Sequence, residues 1–329
     1  MFNNLNRSTK ILIAVNLVLL LAIVIVFALL FLTGSTKKSS TNKNIPVTDT
    51  QKKMSDEEKK AAHEKLEKAV SEILGEDSKT YSVYVFRPGV DDEPFIFQSR
   101  KMQPASMIKM FVLAKAMQDA KDQKLSLDEN LTLNRENIVG GAGSLAGYGI
   151  GAQIPVRLAL ELMISQSDNT ATNLLADRLG IANINAYISE HGYTDTEFNH
   201  KMMQGGNRIL NYTSVKDLGE LFRKIYNSEC VDPYHDRMMT EYLLKQEDTE
   251  CLPAALPLWN VAHKTGEAAT VYGDTIYCEG GICYGSTGDF IIVMMNDSFI
   301  GRADTIEKMQ LIALSVASGK TATKIPGKK

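Results

Sequence analysis

The stretch PASMIKMFVLAKAM, residues 104–117, turns from a polar run into an apolar, helix-forming one, and it places Ser106 and Lys109 one helical turn apart. Side chains three residues apart on a helix lie on one face. The first turn of a helix also has free backbone N–H groups and the positive end of the helix dipole. A hydroxyl and an amine at this position can therefore act as nucleophile and proton acceptor, provided that the amine is uncharged.

The SxxK spacing is a weak signal by itself, because Ser35/Lys38 and Ser40/Lys43 repeat it. The alternative interpretation of Ser106 is an ordinary helix cap followed by a solvated lysine. The apolar sequence MIKMFVL favours the chemical interpretation, since large apolar neighbours would desolvate Lys109 and lower its pKa.

Length and composition predict a globular chain, with 329 residues, 44% hydrophobic and 23% charged. The net charge of -3, together with the absence of zinc-finger, P-loop and GxGxxG spacings, excludes nucleic acid as a partner. The sequence has neither a GxSxG motif nor a histidine placed for a Ser/His/Asp triad. His263 follows strand alternation away from its neighbour Lys264, which predicts a structural role.

The amino-terminal region predicts a membrane anchor. Residues 11–32 form an uncharged apolar run of 22, which is long enough to cross a bilayer as a helix. A cleaved signal peptide is the alternative, but its apolar region is usually shorter. We expect residues 1–10 to be a short cytoplasmic tail, 33–53 a flexible Ser/Thr/Lys-rich linker, and 54–329 an extracytoplasmic catalytic domain.

The four cysteines form an even set, which suits an oxidising exterior. The spacing of Cys278 and Cys283, with two glycines between them, favours a bridge across a tight turn and leaves Cys230 and Cys251 as a second pair. Four reduced, buried thiols are the alternative. A zinc site is the least favoured, because neither HExxH nor paired CxxC occurs.

The order of predicted elements indicates the fold class. A first helix starts at the capping box of Ser55 and Glu58 and stops at Gly75. YSVYVFRPG and EPFIFQS predict a hairpin, and WNVAHKTG, DTIYCEG and DFIIVMMND predict late strands. Further helices are predicted at 106–121, 155–164, 169–179, 214–226 and 304–318. We expect an α+β fold in three α/β/α layers, with an antiparallel sheet, flanking terminal helices and an inserted helical lobe.

Two more motifs support the chemical interpretation of Ser106. Ser-Asp-Asn at 167–169 precedes an apolar helix, and Lys-Thr-Gly at 264–266 ends a predicted strand. Each is unremarkable alone, but in the order SxxK, SDN, KTG they match the set of the class A β-lactamases and penicillin-binding proteins. Residues 54–329 therefore resemble a class A serine β-lactamase-like catalytic domain.

The resemblance implies the catalytic roles. Ser106 would be acylated, and Lys109 would accept its proton or belong to the proton relay. Ser167 would pass a proton to the leaving nitrogen. The backbone N–H groups of Ser106 and Glu267 would form the oxyanion hole.

The resemblance also implies how substrate is bound. Asn169 would hydrogen-bond the substrate amide, while Lys264 and Thr265 would hold its carboxylate. Gly266 would let substrate approach the strand edge. Asp168 would be a structural hydrogen-bonding residue.

One departure concerns the release of the acyl group. Family β-lactamases have a glutamate that activates water in a loop after the SDN helix. With TEFNHK taken as the start of that loop and NYTS as its end, Met202 aligns with this glutamate, and the loop looks shortened. Glu197 is the carboxylate left within it, and its favoured interpretation is a surface residue. The sequence thus supports acylation but not rapid deacylation.

The sequence predicts a membrane-anchored, monomeric serine acyl-transfer hydrolase that opens β-lactams through a Ser106 acyl-enzyme. No metal or organic cofactor is expected. One alternative is a DD-peptidase-like enzyme acting on peptidoglycan stem peptides. Another is a penicillin-binding or sensing protein in which the acyl group stays attached.

Overall fold

The sheet of the folded domain is built from strands near its two ends. The computed structural model describes residues 55–204, 210–269, 275–297 and 301–325. Its strands are β1 (Tyr81–Phe86), β2 (Phe95–Phe97), β3 (Asn130–Thr132), β4 (Gln153–Pro155), β5 (Asn260–Ala269), β6 (Thr275–Tyr284) and β7 (Phe290–Asn296). The five-stranded sheet has the order β2-β1-β7-β6-β5 with antiparallel neighbours, and β3 and β4 form a separate pair.

Helices cover both faces of this sheet and fill the lobe beside it. They are α1 (Asp56–Leu74), α2 (Lys109–Lys121), α3 (Val156–Ser165), α4 (Asn169–Leu179), α5 (Ile181–Glu190), α6 (Val215–Tyr226), α7 (Pro233–Leu243), α8 (Leu252–Ala255) and α9 (Arg302–Ser318). The predicted capping box of α1 is present, with reciprocal hydrogen bonds between Ser55 and Glu58. This arrangement confirms the predicted α+β fold class.

Strand alternation divides the core into two parts. On β1, Val83 and Val85 face a cluster with α1 and α9, whereas Tyr84 and Phe86 face a cluster with α6 and the helical lobe. All seven residues of β7 are buried because both faces of the central strand are covered. Gly219 allows α6 to pack closely on the sheet, since a Cβ there would lie 2.4 Å from the Tyr84 ring.

The helical lobe contains elements that the sequence did not reveal. Helix α5 follows α4 after Gly180 alone, and its apolar spacing is interrupted by asparagines. Helix α7 starts at Pro233, with the Asp232 carboxylate accepting from two backbone N–H groups. Only the start of α7 has a side-chain cap, and both helices adjoin other helices or turns too closely to separate by periodicity.

The predicted disulfides are wrong. The segment CEGGIC does not turn but runs through the middle of β6, paired on both sides. Cys278 and Cys283 are an odd number of residues apart, so their side chains lie on opposite faces and in different core clusters. Cys230 and Cys251 are also in different clusters, and all four are free, buried thiols.

A buried contact between a histidine and a glutamate lies behind the strand that carries the KTG motif. His263 Nδ1 is 2.8 Å from Glu279 Oε1, and the two side chains are 2% and 0% exposed. The Tyr277 hydroxyl also donates to Glu279, at 3.3 Å. These contacts place His263 in the core, as the alternation of the strand predicts.

The predicted tail, span and linker, residues 1–10, 11–32 and 33–53, lie outside the described residues. Within the described ranges, no helix combines the length and the apolar character needed to cross a membrane. The anchor and the domain boundary at residue 54 stay predictions.

Candidate active site

The three motifs meet at one cleft between the sheet and the helical lobe. Ser106 lies on a single 3-10 turn (Ala105–Ile108) that leads into α2, and Lys109 is the first residue of α2. Ser167 stands just before α4, and Lys264 is on β5, the edge strand of the sheet. Lys109 Nζ is 2.9 Å from Ser106 Oγ, and Lys264 Nζ is 3.0 Å from Ser167 Oγ.

Lys109 is completely buried and surrounded by oxygen atoms. Besides the Ser106 hydroxyl, its Nζ lies 2.6 Å from Ser167 O, 3.2 Å from Ser167 Oγ and 2.8 Å from Asn169 Oδ1. Burial holds the pKa of Lys109 well below its ordinary value, and the charge of Lys264 lowers this pKa further. The amine is thus prepared to accept a proton from Ser106.

Lys264 is the second fully buried amine of the cleft. Its Nζ also donates to Thr265 O at 2.8 Å. Burial lowers the pKa of Lys264 to about 7, although the carboxylates of Asp248 and Glu279 act in the opposite direction. Lys264 therefore changes charge near neutral pH, and the Ser167 hydroxyl connects it to Lys109.

The backbone is strained beside both hydroxyls. Ala105 has a φ of 46° and Ser167 a φ of 55°, in the left-handed region that residues with a Cβ rarely adopt. Such conformations persist only where surrounding contacts fix them. Here they fix the backbone next to Ser106 and at Ser167, whose hydroxyl contacts both lysines.

Gly266 allows β5 to approach the Ser106 turn. A Cβ at this position would lie 2.8 Å from Pro104 O and 3.1 Å from the backbone nitrogen of Ser106. The glycine thus serves the packing of strand against turn, in addition to the substrate approach that the sequence suggests. The neighbouring Thr265 and Glu267 line the same cleft of about 600 Å³.

Asp168 and Asn169 hold the loop that forms the opposite wall. Asp168 accepts from the backbone N–H groups of Leu145 and Ala171, at 2.7 and 2.8 Å, which agrees with a structural role. Asn169 Nδ2 donates to Gly140 O at 3.1 Å while its Oδ1 contacts Lys109. The SDN motif therefore orders both the lysine and the wall.

Met202 lies beside α4, held there by Asn173. The Met202 N–H donates to Asn173 Oδ1 at 2.7 Å, and Asn173 Nδ2 donates to Met202 O at 3.1 Å. Sequence analysis had not singled out Asn173, although it lies four residues after the SDN motif and is fully buried. Met202 also packs on the core of the lobe and has no group that could activate water.

The Glu197 carboxylate makes its contacts at the protein surface. Its carboxylate pairs with Lys101 and accepts from Asn199 Nδ2 at 3.0 Å. The hydrogen bonds from Lys101 and Asn199 lower the pKa of Glu197. It lines a different depression, near Tyr193, from the one that contains Ser106. Its interpretation as a surface residue fits this position.

Polar contacts at the cleft also involve Gln166, Glu247 and Arg302, which the sequence analysis did not select. Gln166 accepts from Ser144 Oγ at 2.6 Å and donates to Glu247 Oε1 at 3.0 Å. The Glu267 side chain pairs with Arg302, at the start of α9. These pairs join segments far apart in the chain, which no local pattern reveals.

Comparison with known proteins identifies the family. The sequence profile of the beta-lactamase enzyme family matches residues 65–317, and the chain belongs to this family. The chain is 25% identical over 243 residues to the extended-spectrum beta-lactamase PER-1 of Pseudomonas aeruginosa, an alignment that covers 70% of this chain and 76% of that protein.

Solved structures show the same fold. PBP-A is similar at a TM-score of 0.69 with 25% identity, over 77% of this chain and 95% of that chain. A PBP-A mutant, solved as an acyl-enzyme complex with penicillin G, is similar at a TM-score of 0.68 with 25% identity, over 77% and 96%. The TLA-3 extended-spectrum beta-lactamase has a TM-score of 0.72 with 18% identity, over 78% and 98%, a likeness of fold.

Proposed function

We propose that the protein is a serine acyl-transfer hydrolase whose Ser106 opens the ring of β-lactams. The observation that carries this proposal is the 2.9 Å contact between Ser106 Oγ and the completely buried amine of Lys109. A desolvated, neutral amine can accept the hydroxyl proton as the oxygen attacks a carbonyl. Membership of the beta-lactamase enzyme family and the penicillin G acyl-enzyme of a PBP-A mutant support the choice of substrate class.

The reaction would proceed through an acyl-enzyme on Ser106. Ser106 Oγ forms a bond to the ring carbonyl carbon as its proton passes to Lys109. The tetrahedral intermediate then loses its carbon–nitrogen bond, and the ring nitrogen takes the proton of the Ser167 hydroxyl, which lies within 3.2 Å of both amines. Lys109 passes the proton from Ser106 to Ser167 and is neutral again. Water then hydrolyses the Ser106 ester, which releases the open-ring acid and restores the hydroxyl. The backbone N–H groups of Ser106 and Glu267 would stabilise the oxyanion.

Substrate binding follows from the remaining polar groups. Asn169 would bind the acyl-side amide of the substrate. Lys264, while protonated, and Thr265 would hold its carboxylate. The proposal uses no metal or organic cofactor, because the proton transfers and the oxyanion stabilisation are all assigned to side chains and backbone of this chain.

We further propose that the acyl-enzyme is hydrolysed slowly. The segment that Asn173 holds against α4 presents Met202, which cannot act as a general base. This observation favours, as a second candidate, a peptidase that acts on peptidoglycan stem peptides or a penicillin-binding sensor, both of which tolerate a long-lived adduct with β-lactams. Likeness to PBP-A agrees with this candidate.

The predicted span at 11–32 completes the proposal, with the catalytic domain on the outer side of the membrane and acting as a monomer. The experiment is labelling of a lysate of cells that express the full-length chain with a fluorescent penicillin, followed by separation of the membrane and soluble fractions. We expect a labelled band in the membrane fraction that disappears in the Ser106→Ala variant. Labelling that survives in Ser106→Ala would refute the assigned nucleophile, and a labelled band in the soluble fraction would refute the anchor.

A further inference from the structure

The cleft around Ser106 is acidic for a site that is proposed to accept an anion. Three carboxylates line it, those of Glu247, Asp248 and Glu267. Penicillins carry a carboxylate of their own. Lys264 lies within the cleft but already donates to Ser167 and to a backbone oxygen. Because like charges repel, the carboxylates of the cleft would oppose an anionic substrate unless they are neutralised.

Glu267 is the carboxylate with the most direct bearing on the substrate. Thr265, which is assigned to hold the substrate carboxylate, lies two residues before it on β5. Alternate residues of a strand share a face, at a Cα separation of about 7 Å. Both residues border the cleft at this edge strand. An unpaired negative charge on Glu267 would therefore repel a substrate carboxylate bound at Thr265.

Arg302 binds the Glu267 carboxylate from the start of α9. Its Nε donates to Glu267 Oε2 at 2.8 Å, and its Nη1 donates to Glu250 Oε2 at 2.6 Å. The guanidinium also lies over the Tyr277 ring, 5.6 Å from its centroid. Two carboxylates and a ring hold one cation in place, so the guanidinium has a fixed position beside the cleft.

We propose that Arg302 is a specificity-determining residue that neutralises Glu267 and thereby admits acyl donors that carry a carboxylate. In this role it acts through Glu267, whose carboxylate its Nε binds at 2.8 Å, and not by holding the substrate itself. The inference deepens the proposed function and rests on it, because it assumes that Ser106 is acylated by β-lactams.

The test compares penicillin G with its methyl ester, which differ in one charge. The readout is the ratio of their acylation rates on the full-length chain, measured by intact mass at low ionic strength. Arg302→Gln should lower this ratio about three- to tenfold, as expected for one unit charge at this separation. Arg302→Lys should restore most of it, and added salt should shrink the difference.

Two further variants identify the route of the effect. Glu267→Gln should raise the ratio, and the double variant Arg302→Gln/Glu267→Gln should return it toward the wild-type value. Arg157→Gln is the matched control, because Arg157 is similarly exposed, at 43% against 40%, and pairs with Asp128 outside the cleft. It should leave the ratio unchanged.

The outcomes separate the two proposals. A wild-type chain that forms no adduct with either probe refutes the proposed function and this inference with it. If adducts form but the ratio of acylation rates is the same in Arg302→Gln as in the wild type, the inference is refuted and the proposed function is not. A double variant that stays as low as Arg302→Gln also refutes it, because Arg302 would then bind the substrate carboxylate directly.

Discussion

At the residue scale, the chemistry depends on two buried amines that hold different charges. Burial and the nearby charge of Lys264 lower the pKa of Lys109, so its amine can act as a base. Lys264 has a pKa of about 7, so it is protonated below neutral pH. One amine must be neutral and the other charged for an anionic substrate to be bound and attacked in the same cleft.

This division predicts a pH dependence. As pH rises through about 7, Lys264 loses its proton and its attraction for the substrate carboxylate. Acylation by penicillin G should therefore slow at alkaline pH. The guanidinium of Lys264→Arg keeps its charge. This variant should show no alkaline decline, even if its acylation rate is lower at every pH. Acylation rates measured across pH check this, and the same alkaline decline in both proteins would contradict the assignment.

A second prediction at this scale concerns Met202. Asn173 holds its backbone against α4, so Met202→Glu should introduce a carboxylate close to the place of a water-activating base. General-base catalysis is worth about 100-fold or more, and we expect the adduct to disappear faster by that order. Met202→Gln has similar size but no charge and is the control. Equal persistence of the adduct in both variants would show that the position does not control deacylation.

At the scale of elements, the geometry of the site depends on the contact between β5 and the Ser106 turn. The same strand has polar partners on both faces, with Lys264 toward the cleft and the His263–Glu279 pair toward the core. Contacts on both faces fix the position of this strand beside the Ser106 turn. Displacements of about 1 Å can cost about 100-fold in rate.

Gly266→Ala tests this contact. The added Cβ would meet Pro104 O at 2.8 Å and must push β5 away from the turn. We expect acylation to fall by about tenfold or more, with thermal stability changed much less. Gly301→Ala is the control, since its Cβ would meet no atom of the described residues within 4 Å. Wild-type acylation in Gly266→Ala would mean that the close approach is not needed.

The elements also show how far the sequence could predict the fold. Regular apolar spacing placed α1, α2, α3, α4, α6 and α9, and a capping box also placed the start of α1. The prediction of a bridged turn at CEGGIC failed, because Glu279 and the glycines resemble a turn in the sequence. Their burial in a strand depends on the partner His263 and on the neighbouring strands. For the site, the three motifs were sufficient to name the groups that meet at Ser106. The contacts of Asn173 and Arg302 are long-range and have no local signal.

At the scale of the whole molecule, the domain consists of a sheet with helices on both faces and a lobe whose loops complete the cleft. The four thiols are distributed over both cores, with Cys230 and Cys278 in one and Cys251 and Cys283 in the other. Burial raises the pKa of all four thiols, which keeps them protonated and unreactive.

This distribution predicts the labelling of the thiols. The native protein should resist alkylation, whereas denaturant without any reductant should expose four reactive thiols. Mass spectrometry after iodoacetamide treatment counts them. Fewer than four labels on the unfolded chain would contradict the free-thiol assignment and point to a bridge.

The central claim is that Ser106 forms a covalent and persistent acyl-enzyme. Intact-mass spectrometry of the full-length chain after exposure to penicillin G tests it most directly. The account predicts a gain equal to the whole mass of penicillin G, absent in Ser106→Ala and still present after free penicillin is removed. No mass gain, or a gain that persists in Ser106→Ala, would contradict the claim, and an adduct lost within seconds would refute the slow deacylation assigned to Met202.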